Sequence, residues 1–475
     1  MNWRNDAWLL GLHAALLTFL FFQLTEWRNL IIGLFLCVSF FLLLSVSWRD
    51  VLASVFGFPR HDFRTWILSL LASLLLFGWI GGIFVAWYRL TPLALWSVYA
   101  LSVAITGALC ALSRRHSVPK EKGESVPGFL DRIHLMKKRP IFLIGFFLLL
   151  GVGLYLVRSQ TSDAALVSPW QTIPPAFLFV IFALILLAGG LVSSGFSSKT
   201  SVMLIAALSL LMHAYLPMSH RLPWGGDIWR LVAMEHRISQ GESIRPVLFG
   251  PEASWSERWG IEMPDVFFTP QKYAYAQFWS LHVSVSETTG LPLLALSKYL
   301  IPIVWSIGIP IIFFFLGAWV FRSKKAGAWF SWLSLLPFSL QAVGALALPV
   351  SLGYIGFFFI LLLFLRSRES RHPLSRWIVF LLSILMIFGY PLHTVVLWGV
   401  MILTGLTSYV IRHTSSLLRF FLFFCIAAIA VLLLPLIELI SGVSKFPLQW
   451  NALESLRQLG GQLSGWYYAS ATRPH

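Results

Sequence analysis

Blocks of about 20 apolar residues recur along most of the chain, the length a helix needs to cross a bilayer, and short polar links divide them. Seven come first, at about Trp8–Leu24, Leu30–Ser47, Thr65–Trp87, Pro92–Leu112, Ile141–Val157, Ala176–Val192 and Ser201–Leu216. Six more follow a long interruption, at about Leu300–Phe321, Ala328–Leu348, Leu352–Leu365, Trp377–Phe388, Thr394–Ile411 and Phe421–Ile440. The pattern predicts an all-α, polytopic integral membrane protein with about 13 transmembrane helices. A transmembrane barrel would show short alternating segments instead. Pro302, Pro310 and Pro435 are expected kinks. The blocks hold almost no polar side chain at mid-span apart from Gln341 and Glu438, and no broken helix is expected.

The interruption, residues 217–292, is polar, aromatic and mixed in charge. It is expected to be one large extracytoplasmic loop. It holds eight of the chain's 19 acidic residues: Asp227, Glu235, Glu242, Glu252, Glu257, Glu262, Asp265 and Glu287. Gly225-Gly226-Asp227 opens a run with helical period, Ile228, Leu231, Val232, Glu235 and Ile238, which Gly241 closes. This predicts a helix of about three turns lying in the membrane interface, apolar face down. Asp227 stands where an N-cap belongs and where a reactive carboxylate would face outward, and the two roles are compatible. Trp224, Trp229, Trp255, Trp259 and Trp279 suit interfacial depth. His220, His236 and His282 have no metal-ligand spacing. Arg221, Arg230, Arg237, Arg245, Arg258 and Lys272 supply cations for local contacts to phosphate oxygens. In the later half, His393 of the turn FGYPLHT is expected on the same side as this segment.

Composition and charge narrow the picture further. Only 11% of residues are charged and 58% are hydrophobic, against about 25% charged in a soluble domain. The net charge of +16 does not mark a nucleic-acid partner, because the basic residues sit in short links between spans and no basic-aromatic module appears. They fit the positive-inside rule if the N-terminus is cytoplasmic. The Arg49–Arg64 link, the 113–139 loop, Lys199, Arg322–Lys325, Arg366–Arg376 and Arg412–Arg419 then face the cytoplasm. The Lys/Arg-free loop 159–174, the 217–292 segment and the GYPLH turn face outward, in what is expected to be the plasma membrane. The expected divisions are four helices in 1–112, a basic loop 113–139, two helices in 140–200, a seven-helix module in 201–441 and an extracytoplasmic amphipathic tail 442–475. Within the basic loop, Phe129–Lys138 reads either as a solvated linker or as a short helix on an anionic surface. The N-terminus lacks a small-residue cleavage site and reads as a retained span. Cys37, Cys110 and Cys425 lie inside apolar blocks without disulfide or metal spacing.

HRLPWGGDIWRLVAMEHRISQG, with Asp227 early in a large outer segment, resembles the GT-C superfamily of multi-span glycosyltransferases that use lipid-linked sugar donors. FTPQKYAYAQFWSLHVSVSETTGLPLLALSKYLIPIVWSIGIP is similar to that family's return into the membrane, and PLHT to a His-containing turn in many bacterial members. The resemblance covers about residues 199–440 and leaves the first six spans aside. It implies an enzyme taking a sugar from a polyprenyl-phosphate donor, with membrane lipids as surroundings. Asp227 would be general base or metal ligand, and Trp224, Arg230, His236, Arg245, Lys272 and His393 would bind substrate. No Asp-Asp, Asp-Glu or Asp-x-Asp pair stands at Asp227, so a divalent metal stays open. Two other readings stand beside it: an O-antigen-ligase- or polymerase-like enzyme using Arg and His, and a transporter or flippase of lipid-linked intermediates. Sugar, acceptor and oligomeric state have no signature in the chain.

Overall fold

The computed structural model describes residues 3–115, 139–162, 171–194, 196–258 and 260–413. Most of the basic 113–139 loop, the expected span at 421–440 and the tail lie outside them. The chain divides into two compact units, Met1–Thr394 and Val395–His475. The first holds α1 (Trp3–Phe22), α2 (Leu30–Phe56), α3 (Phe63–Trp87), α4 (Pro92–Arg115), α5 (Arg139–Ser159), α6 (Pro175–Ser193) and α7 (Ser198–Ser219). A polar stretch follows with α8 (Gly226–Ser239) and a two-stranded antiparallel hairpin, β1 (Trp255–Arg258) and β2 (Ile261–Pro264). Then come α9 (Pro270–Thr289), α10 (Leu293–Val320), α11 (Lys324–Leu333), α12 (Phe338–Ala345), α13 (Pro349–Glu369) and α14 (Leu374–Leu385). α15 (Pro391–His413) begins in the first unit and is the described part of the second.

The chain is an all-α membrane protein: among the described residues nine helices are long and apolar enough to cross a bilayer, namely α1–α7, α10 and α13. Their ends follow local chemistry. The Asn29 side chain accepts from the Ile31 and Ile32 amides to start α2, as an N-cap should. Gly57, at φ +70°, takes the left-handed position that ends it.

Two expectations change. The block Ala328–Leu348 is not one span. It breaks into α11 and α12 around Ser334–Pro337, because Pro337 has no amide hydrogen and disfavours helix at the residue before it. The Gln341 side chain crosses the break and donates to the Ser334 carbonyl at 2.7 Å. The 217–292 segment is not wholly a loop, either. Its last third is α9, a 20-residue helix packed into the bundle along α3 and also touching α2, α8, α10 and α13. The backbones approach closely at glycines: a Cβ on Gly81 would meet Ser280 at 2.9 Å, and one on Gly78 would meet Gln277 at 3.0 Å. Some polar groups of α9 find partners there, whereas the Gln277 amide and the Ser284 hydroxyl are buried without one among the described residues. The Ser280 hydroxyl donates to the Gly78 carbonyl (3.0 Å), the Gln23 amide donates to the Thr288 carbonyl (3.0 Å), and the Tyr99 and Thr288 hydroxyls share a bond of 2.7 Å.

The links sort to two ends of the first unit. At one end Arg60 and Arg114 both bond Asp50, the Ser370 hydroxyl donates to the Val55 carbonyl, and Arg64 reaches Ser198. At the other, the Leu248 and Phe249 amides donate to the Trp87 carbonyl, Lys298 to that of Arg221, and the Ser162 amide to that of Ser219. The first is the basic end and the second the loop end.

Candidate functional site

The α8 helix is amphipathic as its periodicity predicts. Ile228, Leu231, Glu235 and Ile238 are buried, while Asp227, Trp229, Arg230, His236 and Arg237 are exposed. Asp227 is not the N-cap. Gly225 holds that position at φ +103°, a conformation that suits only glycine, and no side chain caps the helix. Asp227 is the second helical residue, so its charge faces the positive end of the helix dipole. Among the described residues its carboxylate has no hydrogen-bond or ion-pair partner. Three other carboxylates of the segment are held: Glu242 pairs with Arg237 at 2.6 Å, Glu252 with Arg245 at 3.0 Å, and Asp265 accepts from Ser256 at 2.6 Å. The Ser256 hydroxyl bond holds the Asp265 carboxyl below the usual carboxylate range.

Sequence patterning left one arrangement unread. The Glu235 carboxylate is bound to His282 Nδ1 at 2.6 Å and accepts from the Ser297 hydroxyl at 2.7 Å. All three are buried, and His282 Nε2 has no partner. This cluster ties α8 to α9 and α10. The available signal was register: Glu235 falls on the apolar positions 228, 231, 235 and 238, where an acidic residue has no reason to be unless something inside receives it.

Past the C-terminal end of α8 a cavity of about 650 Å³ opens between the α3–α4 turn and residues 241–252. Arg89, Arg237 and Arg245 line it with Tyr88 and Phe249. Its wall is stapled by Lys272, whose buried ammonium donates to the Ile244 carbonyl and, at 2.6 Å, to that of Pro246. Burial pushes the Lys272 pKa down to about 8.

The substrate-binding set expected from the sequence is therefore not gathered in one place. Asp227 and Arg230 sit in the first turns of α8, and Trp224 packs against His220 just before it, with ring centroids 4.6 Å apart. Exposed His236, bonded to Gln240 at 3.1 Å, sits in the last turn of α8, about 14 Å along the axis from Asp227 at 1.5 Å per residue, and Arg245 lies beyond that end. Lys272 is committed to loop carbonyls. His393 is buried in the bundle between Tyr354 and Tyr390, at ring distances of 4.3 and 4.6 Å. Among the described residues no three His, Cys, Asp or Glu side chains gather as a metal-ligand set.

A second buried polar group sits beside the broken helix. His213 Nδ1 meets the Ser209 carbonyl at 2.6 Å and the Ser306 hydroxyl at 3.1 Å, and its ring edge abuts Gly344 of α12. Gln341 Oε1 is buried without a partner. No family model, curated protein or solved structure matches this chain.

Proposed function

We propose that the protein is a membrane glycosyltransferase of the GT-C type, transferring a sugar from a polyprenyl-phosphate donor to an acceptor at the loop end. The observation that carries this reading is Asp227: an exposed, unpaired carboxylate in the first turn of an amphipathic helix that follows a span and is anchored from beneath. The distribution of Lys and Arg supports a loop end outside the cytoplasm. Asp227 takes the proton of an acceptor hydroxyl as its oxygen attacks the anomeric carbon. The bond from that carbon to the donor phosphate breaks, and the polyprenyl phosphate leaves with inversion. Arg230, three residues on and on the same exposed face, stabilises the departing phosphate. Arg245, paired with Glu252, and Lys272, bonded to loop carbonyls, lie towards the far end of α8 and do not take this role. In proteoliposomes supplied with defined polyprenyl-phosphate sugars and acceptors, Asp227→Asn should lose about 100-fold or more in transfer while inserting normally. Transfer at the wild-type rate would overturn the assignment.

A specific observation favours a second reading, movement of lipid-linked intermediates across the membrane. Discontinuous helices and buried polar groups within a bundle mark substrate paths in transporters, and α11–α12 with His213 and Gln341 has both. Passage of a labelled polyprenyl-phosphate sugar between leaflets without any acceptor, lost in His213→Ala and kept in Asp227→Asn, would select it.

A further inference from the structure

The basic end contains a feature that the transfer reaction does not use. A cavity of about 530 Å³ lies between the start of α3, the end of α10, the start of α11 and the end of α13. Four cations line it, Arg64, Arg322, Lys324 and Arg366, against two carboxylates, Asp62 and Glu369. The charges are not equally committed. Arg64 is neutralised by a two-pronged bond to Asp62, donates to Ser198 and stacks 4.0 Å over Phe314. Glu369 is shared between the Trp319 indole at 2.9 Å and Arg322 at 3.4 Å. Lys324 has no ion-pair partner among the described residues. Arg366 lies 5.0 Å over the Phe58 ring, and its Nε is buried without any hydrogen-bond partner.

A buried guanidinium nitrogen left unbonded is unfavourable, and the lining carries a surplus of two positive charges. A phosphate oxygen satisfies both conditions, since arginine binds phosphate through several hydrogen bonds at once. The first turn of α11 adds its dipole at the cavity wall. Phe314, Phe315 and Ala318 give the opposite wall an apolar surface. We propose that this cavity is a phosphate-binding site at the basic end, held by Arg366, Lys324 and Arg322. Its ligand is the phosphate of an anionic phospholipid headgroup or of a soluble phosphate ester. Basic pockets between membrane helices bind anionic headgroups in this way. The proposal is independent of the transferase reading, because no residue of α8 or the loop takes part.

The test uses the purified full chain in neutral detergent. Inorganic pyrophosphate is titrated in one arm and short-chain phosphatidylglycerol in another, with phosphatidylcholine as the uncharged control, and affinity is read from ligand-dependent thermal shifts. Saturable binding is expected in one of the anionic arms, about tenfold weaker in Arg366→Gln and in Lys324→Gln and unchanged in Lys325→Gln, which removes the same charge beside the cavity. Binding of pyrophosphate identifies a soluble ester, and binding of phosphatidylglycerol alone identifies a lipid headgroup. If Arg366→Gln does not fold, Lys324→Gln, exposed at the helix start, decides. Equal affinity of wild type, Lys324→Gln and Lys325→Gln, equal binding of the phosphatidylcholine control, or no saturable binding in either anionic arm overturns the proposal.

Discussion

Glu235 and Lys272 show how single polar residues hold the loop end together, and each makes a measurable prediction. Truncating Glu235 to Ala leaves the Ser297 hydroxyl and the His282 ring without their shared acceptor inside the protein. Unsatisfied buried polar groups cost about 1–3 kcal/mol each, so Glu235→Ala should lower the detergent-solubilised unfolding midpoint clearly. The double variant Glu235→Leu with His282→Leu should recover part of the loss, because only the Ser297 hydroxyl is then left without its partner. Equal losses in the single and double variants would show that the cluster does not act as a unit. Lys272 makes a prediction about pH. Its pKa in the fold, about 8, lies below the ordinary lysine value of 10.5. Between these values the unfolded chain binds more protons, so the Lys272 contribution to stability rises with pH across that window. The unfolding midpoint of wild type measured against Lys272→Met should therefore climb from pH 8 to pH 10. A difference that is flat or falling over that range would contradict the assignment.

At the level of elements, legibility follows how each helix is buried. The stripe of Ile228, Leu231 and Ile238 announces α8, since a helix at an interface must separate its two faces. α9 escapes the same logic. Gln277, Ser280, His282, Ser284 and Thr288 lower its hydropathy, although all five are buried. For Ser280, His282 and Thr288, burial is accompanied by long-range bonds to Gly78, Glu235, Tyr99 and Gln23, none of which local periodicity records. The break between α11 and α12 has a local signal in Pro337, hidden inside an apolar block whose average looks like a span. The candidate site follows the same division. Asp227 and Arg230 could be read from helical register, whereas the placing of Arg245 and Lys272 depends on how the loop folds back onto Trp87 and that of His393 on packing against Tyr354. The packing of α9 is testable through its closest approach. Gly81→Ala places a Cβ 2.9 Å from Ser280, and overpacking of this kind costs about 1–3 kcal/mol. Thermal unfolding should show that loss in Gly81→Ala and its partial rescue by adding Ser280→Gly. A tolerated Gly81→Leu would mean that α9 does not lie against α3.

For the molecule as a whole, the decisive property is which end faces which compartment. The links that meet around Asp50, Arg64 and Glu369 are the ones rich in Arg and Lys, while the segment carrying Asp227 folds over the opposite ends of α3, α7 and α10. Helix packing and charge distribution are independent physical constraints, one set by side-chain fit and the other by insertion. Both divide the described links in the same way. A transferase using a polyprenyl-phosphate donor from the outer leaflet needs the loop end outside, which puts the basic end at the cytoplasmic surface. Single cysteines at Ser254, exposed beside the β-hairpin, and at Lys325, exposed at the start of α11, read the two ends directly. Each is introduced after Cys37, Cys110 and Cys425 have been changed to Ser. In intact cells a membrane-impermeant maleimide should label Ser254→Cys, and it should reach Lys325→Cys only after the membrane is opened. Labelling of both from one side would mean that the chain between them crosses the membrane differently from the bundle described. The reverse pattern would place Asp227 in the cytoplasm, where the outer-leaflet donor cannot reach it, and the transferase reading would fall while the two-ended architecture stood.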